Sequence, residues 1–192
     1  MTKRYFHIQK RRVENQWEVG SEYTIGSKLN TFYSEIVSSC SLKKELIETS
    51  KSKVENRIHC DLMRASQYEI IANDIASELL QYIKWIREEI FENIRKSRFP
   101  ELPSRQQCIW LCTEEHLNYW LTQIHNEKRI FEVKLIQPNT IHKASASYIK
   151  CDTYPISEFE DFAEKYWSGE NCDVESEILF SGRIKLLSEV TN

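Results

Sequence analysis

The chain has 192 residues, of which 41% are hydrophobic and 29% charged, with a formal net charge of −3 and only four Gly and four Pro. Such a composition excludes collagen-like, low-complexity and disordered classes. The length suits one domain over residues 1–192 with a core of its own. The near-neutral balance supplies no overall attraction to nucleic acid, although Lys3, Arg4, Lys10, Arg11 and Arg12 make the N-terminal segment basic.

In chain order, Tyr5, His7 and Gln9 share one face of a strand, with Phe6 and Ile8 on the other. Gly20 and Gly26 bracket a turn around Tyr23 and Ile25. Residues 41–57 read as a mixed-charge helix. The strongest signal runs from Asp61 to Ser97: Ile71, Ile75, Leu79, Ile83, Ile86, Ile90 and Ile94 recur at helical steps, with Glu78, Lys84, Arg87, Glu88 and Arg95 off that stripe. Unbroken, that helix would span about 55 Å, so a bend near Asn73 and Asp74 is one expectation; Pro100 and Pro103 stop it. Residues 107–113 form an apolar strand and 114–124 a helix with Thr113 as N-cap. Residues 129–137 form another strand, 155–167 a helix entered through Pro155, and 176–187 a final strand. The fold class is α+β.

No stretch of about 18 apolar residues could span a membrane, and the first dozen residues hold no signal-peptide core. The six cysteines then read as reduced thiols, and a cytoplasmic location is expected. Cys108, Cys112 and His116 are spaced four apart, but two thiolates separated by four strand residues, roughly 13 Å, cannot share one zinc. No metal site is expected. Neither GxSxG, a Walker loop nor GxGxxG occurs, which excludes the common hydrolase, kinase and dinucleotide-binding signatures. Two signals remain: His7 in mid-strand, and Glu175 with Glu177, an E-x-E expected on the final strand. Each has an ordinary structural reading, a satisfied histidine and a solvated acidic pair.

The segments YFHIQ, FPELPSRQQCIWLCTEEHLNYW, FEDFAEKYWSGE and ESEILFSGRIKLL, taken in that order, resemble a bacterial family of unknown function grouped with the ADP-ribosyltransferase-like fold. The resemblance covers nearly the whole chain. It implies a split two-sheet core with an NAD cleft between the sheets, together with the long amphipathic helix. It carries His7 onto the NAD ribose and Glu177 onto the catalytic carboxylate, with Glu175 as the first acid of the E-x-E form. Ser104, Arg105 or Trp110 would supply the middle contact to NAD. Arg105, Arg4 or Arg11 would meet the pyrophosphate.

The implied activity is NAD-dependent ADP-ribosyl transfer to an unknown macromolecular acceptor, with toxin or phage-defence settings as analogies. The alternative is a non-catalytic protein-binding module that keeps the fold and docks a partner, or a second copy, through the isoleucine-striped helix. Nucleic-acid binding through the basic N-terminus is a third reading, for which steep salt dependence would be the sign.

Overall fold

The computed structural model describes residues 3–10, 17–41, 65–125 and 127–190. The helix expected over 41–57, together with Cys60, Arg11 and Arg12, falls outside them apart from Ser41. The strands are β1 (Tyr5–Lys10), β2 (Glu22–Ile25), β3 (Ile109–Thr113), β4 (Lys128–Ser145) and β5 (Ser176–Val190). The helices are α1 (Thr31–Ser41), α2 (Ala65–Arg98), α3 (Glu114–Gln123) and α4 (Ile156–Ser168).

All strand pairs are antiparallel, in the order β2-β5-β3-β1-β4, and β4 also pairs with β5. Four strands therefore close a ring, β5-β3-β1-β4-β5. One five-stranded sheet takes the place of the expected two-sheet core. The long β4–β5 hairpin makes this possible, because register shifts near Glu132, Leu135 and Pro138 let β4 bend from β5 round to β1. Pro138 lies opposite Gly182, whose φ is 137°. A Cβ on Gly182 would stand 2.4 Å from the Gln137 carbonyl oxygen, so only glycine permits this close approach.

Inside the ring, Ile109, Leu111, Phe131, Val133, Ile178, Phe180, Ile184 and Leu186 form the main core. Their alternate spacing on three strands is the expected period of two. Outside it, Leu179, Cys108 and Ala144 pack against Phe91 of α2 and Ala163, Tyr166 and Trp167 of α4. Phe6, Cys112 and Ile130 form a third cluster, against α3.

The helix α2 is one continuous element of 34 residues, about 51 Å long, but its most buried described positions lie off the isoleucine stripe, of which Ile94 packs partly buried beside Phe91. Arg87, Glu88, Phe91 and Glu92 are buried, whereas Leu79 is 58% and Ile86 44% exposed. Charged residues occupy the inner face because each has a partner there. Arg87 donates to Glu88 and to the Lys150 carbonyl, and Glu92 accepts from Arg95 and from Ser104. Periodicity cannot foresee this, since a buried charge is tolerated only when paired. The helix ends at Arg98 before Pro100, as expected, and Arg95 ties the exit by donating to the carbonyls of Pro100 and Leu102.

Candidate functional site

The β1–β3 ladder consists of Tyr5↔Thr113 and Phe6↔Cys112 only. Beyond that point β1 continues along β4 as far as Lys10, while β3 pairs with β5 through Ile109–Leu111. Where the ladder lapses, the His7 ring bonds the Trp110 carbonyl through Nδ1 at 2.9 Å, satisfying an oxygen the strand no longer covers. A cavity of about 760 Å³ opens here. Its size falls within the range of small-molecule and cofactor sites.

His7, Arg105, Trp110 and Glu177, four of the residues that the resemblance nominates, line this one cavity. They reach it from both sides of the sheet. Register places His7 on the inner face with Leu111 and Ile178, while Glu177 belongs to the outer face with Phe6 and Cys112. Glu175 is not on the strand. It precedes β5 with φ 47°, so strand alternation does not extend to it and the E-x-E does not share one face. Ser104 lies off the cavity, donating to Glu92.

A carbonyl oxygen can only accept, so Nδ1 of His7 carries the ring proton. Burial pushes the His7 pKa below its ordinary value, against the opposing effect of the Trp110 carbonyl. The ring is therefore neutral near pH 7, which leaves Nε2 as an acceptor. Trp17 covers the imidazole with ring centroids 4.9 Å apart, and Tyr23 stacks on Trp17 at 4.7 Å.

On the outer side, Arg105 is 4% and Glu177 7% exposed. The Arg105 guanidinium grips both Glu88 oxygens, donating from Nε at 3.0 Å and from Nη2 at 3.3 Å. Its Nη1 donates at 2.6 Å to Glu177 Oε1 and at 2.6 Å to the Tyr166 hydroxyl. The Tyr166 hydroxyl in turn donates to Glu177 Oε1. Burial alone would raise the Glu88 pKa, but Arg105 and Arg87 hold it below the usual carboxylate range. Burial, and then the Glu177 charge working against Arg105, keep the Tyr166 proton in place. Arg105 is thus a clamp on Glu177 and Glu88 rather than a free phosphate ligand. Arg4 is engaged as well, by Glu132 and Glu114. The cations at the cavity that make no ion pair among the described residues are Lys10 and Lys28.

Sequence reading missed Gln9, Trp17, Lys28 and Asn30 as cavity residues. Gln9 was within reach, two positions from His7 on the same face. Asn30 carries a local signal: its side chain caps α1 by accepting from the Tyr33 N–H at 2.9 Å, and donates to the carbonyls of Arg105 and Cys108. The cavity cysteines are poor nucleophiles, because burial raises the thiol pKa of both Cys108 and Cys112. Among the described residues, no group of three or more His, Cys, Asp or Glu side chains could hold a metal. Nor is any described helix long and apolar enough to cross a membrane.

Among curated proteins, none matches this chain. The sequence model of one family, described as "Protein of unknown function (DUF2441)", matches residues 5–192, and the chain belongs to that family.

Proposed function

We propose that the cavity at the β1–β3 seam binds NAD, and that the protein is an NAD-consuming ADP-ribosyltransferase. The observation that carries this reading is the convergence of His7, Arg105, Trp110 and Glu177 on one cavity. A neutral His7 with Nε2 as acceptor suits a ribose hydroxyl, which must donate. The Trp110 ring, which lines the cavity, suits a base. Lys10 and Lys28 suit the pyrophosphate.

In the reaction, the bond between nicotinamide nitrogen and ribose carbon breaks, and nicotinamide leaves with the electron pair. Positive charge develops on the ribose, as in glycoside cleavage. The Glu177 carboxylate, held by Arg105 and Tyr166 through Oε1, is the group offered to that charge. A nucleophile of the acceptor then bonds the ribose carbon and gives up its proton to solvent. Because Arg105 and Tyr166 fix Glu177 before substrate arrives, no reorganisation is needed during the step.

The test is nicotinamide release from NAD by the purified protein and by Glu177→Gln, with folding checked by circular dichroism. Release that falls at least a hundredfold in a folded variant supports the assignment. Equal release in the two proteins overturns it.

A second reading, a partner-binding module, is favoured by the exposed Leu79, Leu80 and Ile86 on α2. Its sign is a stable complex, with a partner or between two copies, that Ile86→Glu abolishes.

A further inference from the structure

Gln9 stands on the inner face of β1, two residues beyond His7, and lines the same cavity. Its side chain belongs to a residue only 9% exposed, yet its carboxamide makes no hydrogen bond among the described residues. Buried polar side chains are almost always paired, and an orphan calls for an explanation. Its surroundings sharpen the case. On the same face Trp17 packs its ring against His7, Tyr23 and Phe131, and Arg129, which stands opposite Gln9 on β4, is taken up by Glu189. The strand rise puts the His7 and Gln9 side chains roughly 6.6 Å apart along one face. Nε2 of His7 likewise carries no partner among the described residues, since the ring's one hydrogen bond uses Nδ1.

A carboxamide presents one donor and one acceptor side by side in a plane. It is complementary to an edge that offers an acceptor next to an N–H donor. Adenine carries such an edge at N7 and N6, and the carboxamide of nicotinamide carries an equivalent pair. We propose that Gln9 is the base-reading residue of this cavity: its carboxamide pairs with the donor–acceptor edge of an NAD base, while His7 accepts from a neighbouring hydroxyl. This inference rests on the NAD reading above and adds the residue that would confer selectivity.

The experiment is calorimetric titration of wild type, Gln9→Met and Gln9→Glu with NAD, ADP-ribose and nicotinamide mononucleotide, alongside thermal unfolding of each free protein. Gln9→Met keeps the length and removes both polar atoms; Gln9→Glu keeps the shape and replaces the donor with a second acceptor. An orphan carboxamide predicts that free Gln9→Met melts at or above the wild-type temperature. NAD affinity should fall about tenfold or more in both variants. The loss should recur with ADP-ribose if Gln9 reads adenine, and with nicotinamide mononucleotide if it reads the nicotinamide carboxamide. Equal NAD affinity in wild type and Gln9→Met overturns the inference and leaves the NAD reading standing. A wild-type protein that binds none of the three ligands at millimolar concentration overturns both. A free Gln9→Met melting several degrees lower identifies a structural partner for the carboxamide and overturns the inference alone.

Discussion

Replacing Arg105 by Met should damage this protein more than any substitution on its surface. The Arg105 side chain is buried, and two buried carboxylates depend on it, Glu88 and Glu177. With Arg87, the four groups sum to zero charge. Removing Arg105 leaves a buried −1, with Glu88 held by Arg87 alone and Glu177 by Tyr166 alone. Breaking a buried ion pair from one side costs about 3–5 kcal/mol. At about 2–4 °C per kcal/mol for a chain of this size, the melting temperature should fall by roughly 6–20 °C. Arg105→Lys should recover little, because a single ammonium cannot serve both Glu88 oxygens, Glu177 and the Tyr166 hydroxyl together. Urea and thermal unfolding measure the loss. In the double variant Arg105→Met with Glu177→Gln, part of it should return, since Glu177 is then no longer an unpaired charge. An Arg105→Met protein within about 0.5 kcal/mol of wild type would refute the view that this cluster is buried and charged.

Three further outcomes follow from the geometry. Phe91→Ala, on the truly buried face of α2, should cost about 3–5 kcal/mol in urea unfolding, while Ile86→Glu should stay within about 0.5 kcal/mol. Gly182→Ala should destabilise by more than about 1 kcal/mol, because its Cβ meets backbone atoms of Gln137, Pro138 and Asn139 that cannot swing aside; an unchanged melting temperature would count against the close β4–β5 approach. Burial holds both His7 and His142 below the ordinary 6.5, so the unfolded chain takes up these protons at higher pH than the folded one. Their contribution is full above about pH 6.5 and is lost as the pH falls toward the folded values. The urea midpoint should therefore drop between pH 7 and 5, less steeply in His7→Gln with His142→Gln.

Local pattern was enough to find β1, because Tyr5, His7 and Gln9 alternate with Phe6 and Ile8, and enough to find the existence of α2 and its stop before Pro100. It misassigned the inner face of α2, because the partners that make Arg87, Glu88 and Glu92 acceptable there come from residues as distant as Lys150, Arg105 and Ser104. It ended β4 at Gln137; the strand continues past Pro138 to Ser145 because Gly182 makes room opposite the proline. It took 22–25 for part of a turn, whereas those residues pair with β5. The helix α1 went unread, its TFYSEIVSSCS sequence being rich in serine and β-branched residues. At the site, His7 and Glu177 were nominated by resemblance and do line one cavity. That they emerge from opposite faces of the sheet depends on the β1–β3–β5 register, which no single segment encodes. Glu175 was drawn onto the strand by a two-residue spacing that its positive φ breaks.

The most direct test of the NAD reading uses the tryptophans that line the cavity, Trp17, Trp110 and Trp120. NAD is titrated into the intact protein while tryptophan emission is followed, with His7→Ala as the control. Saturable quenching below millimolar NAD, weakened in His7→Ala, is the expected result. Emission that does not change up to several millimolar NAD, in a protein shown to be folded, would contradict it.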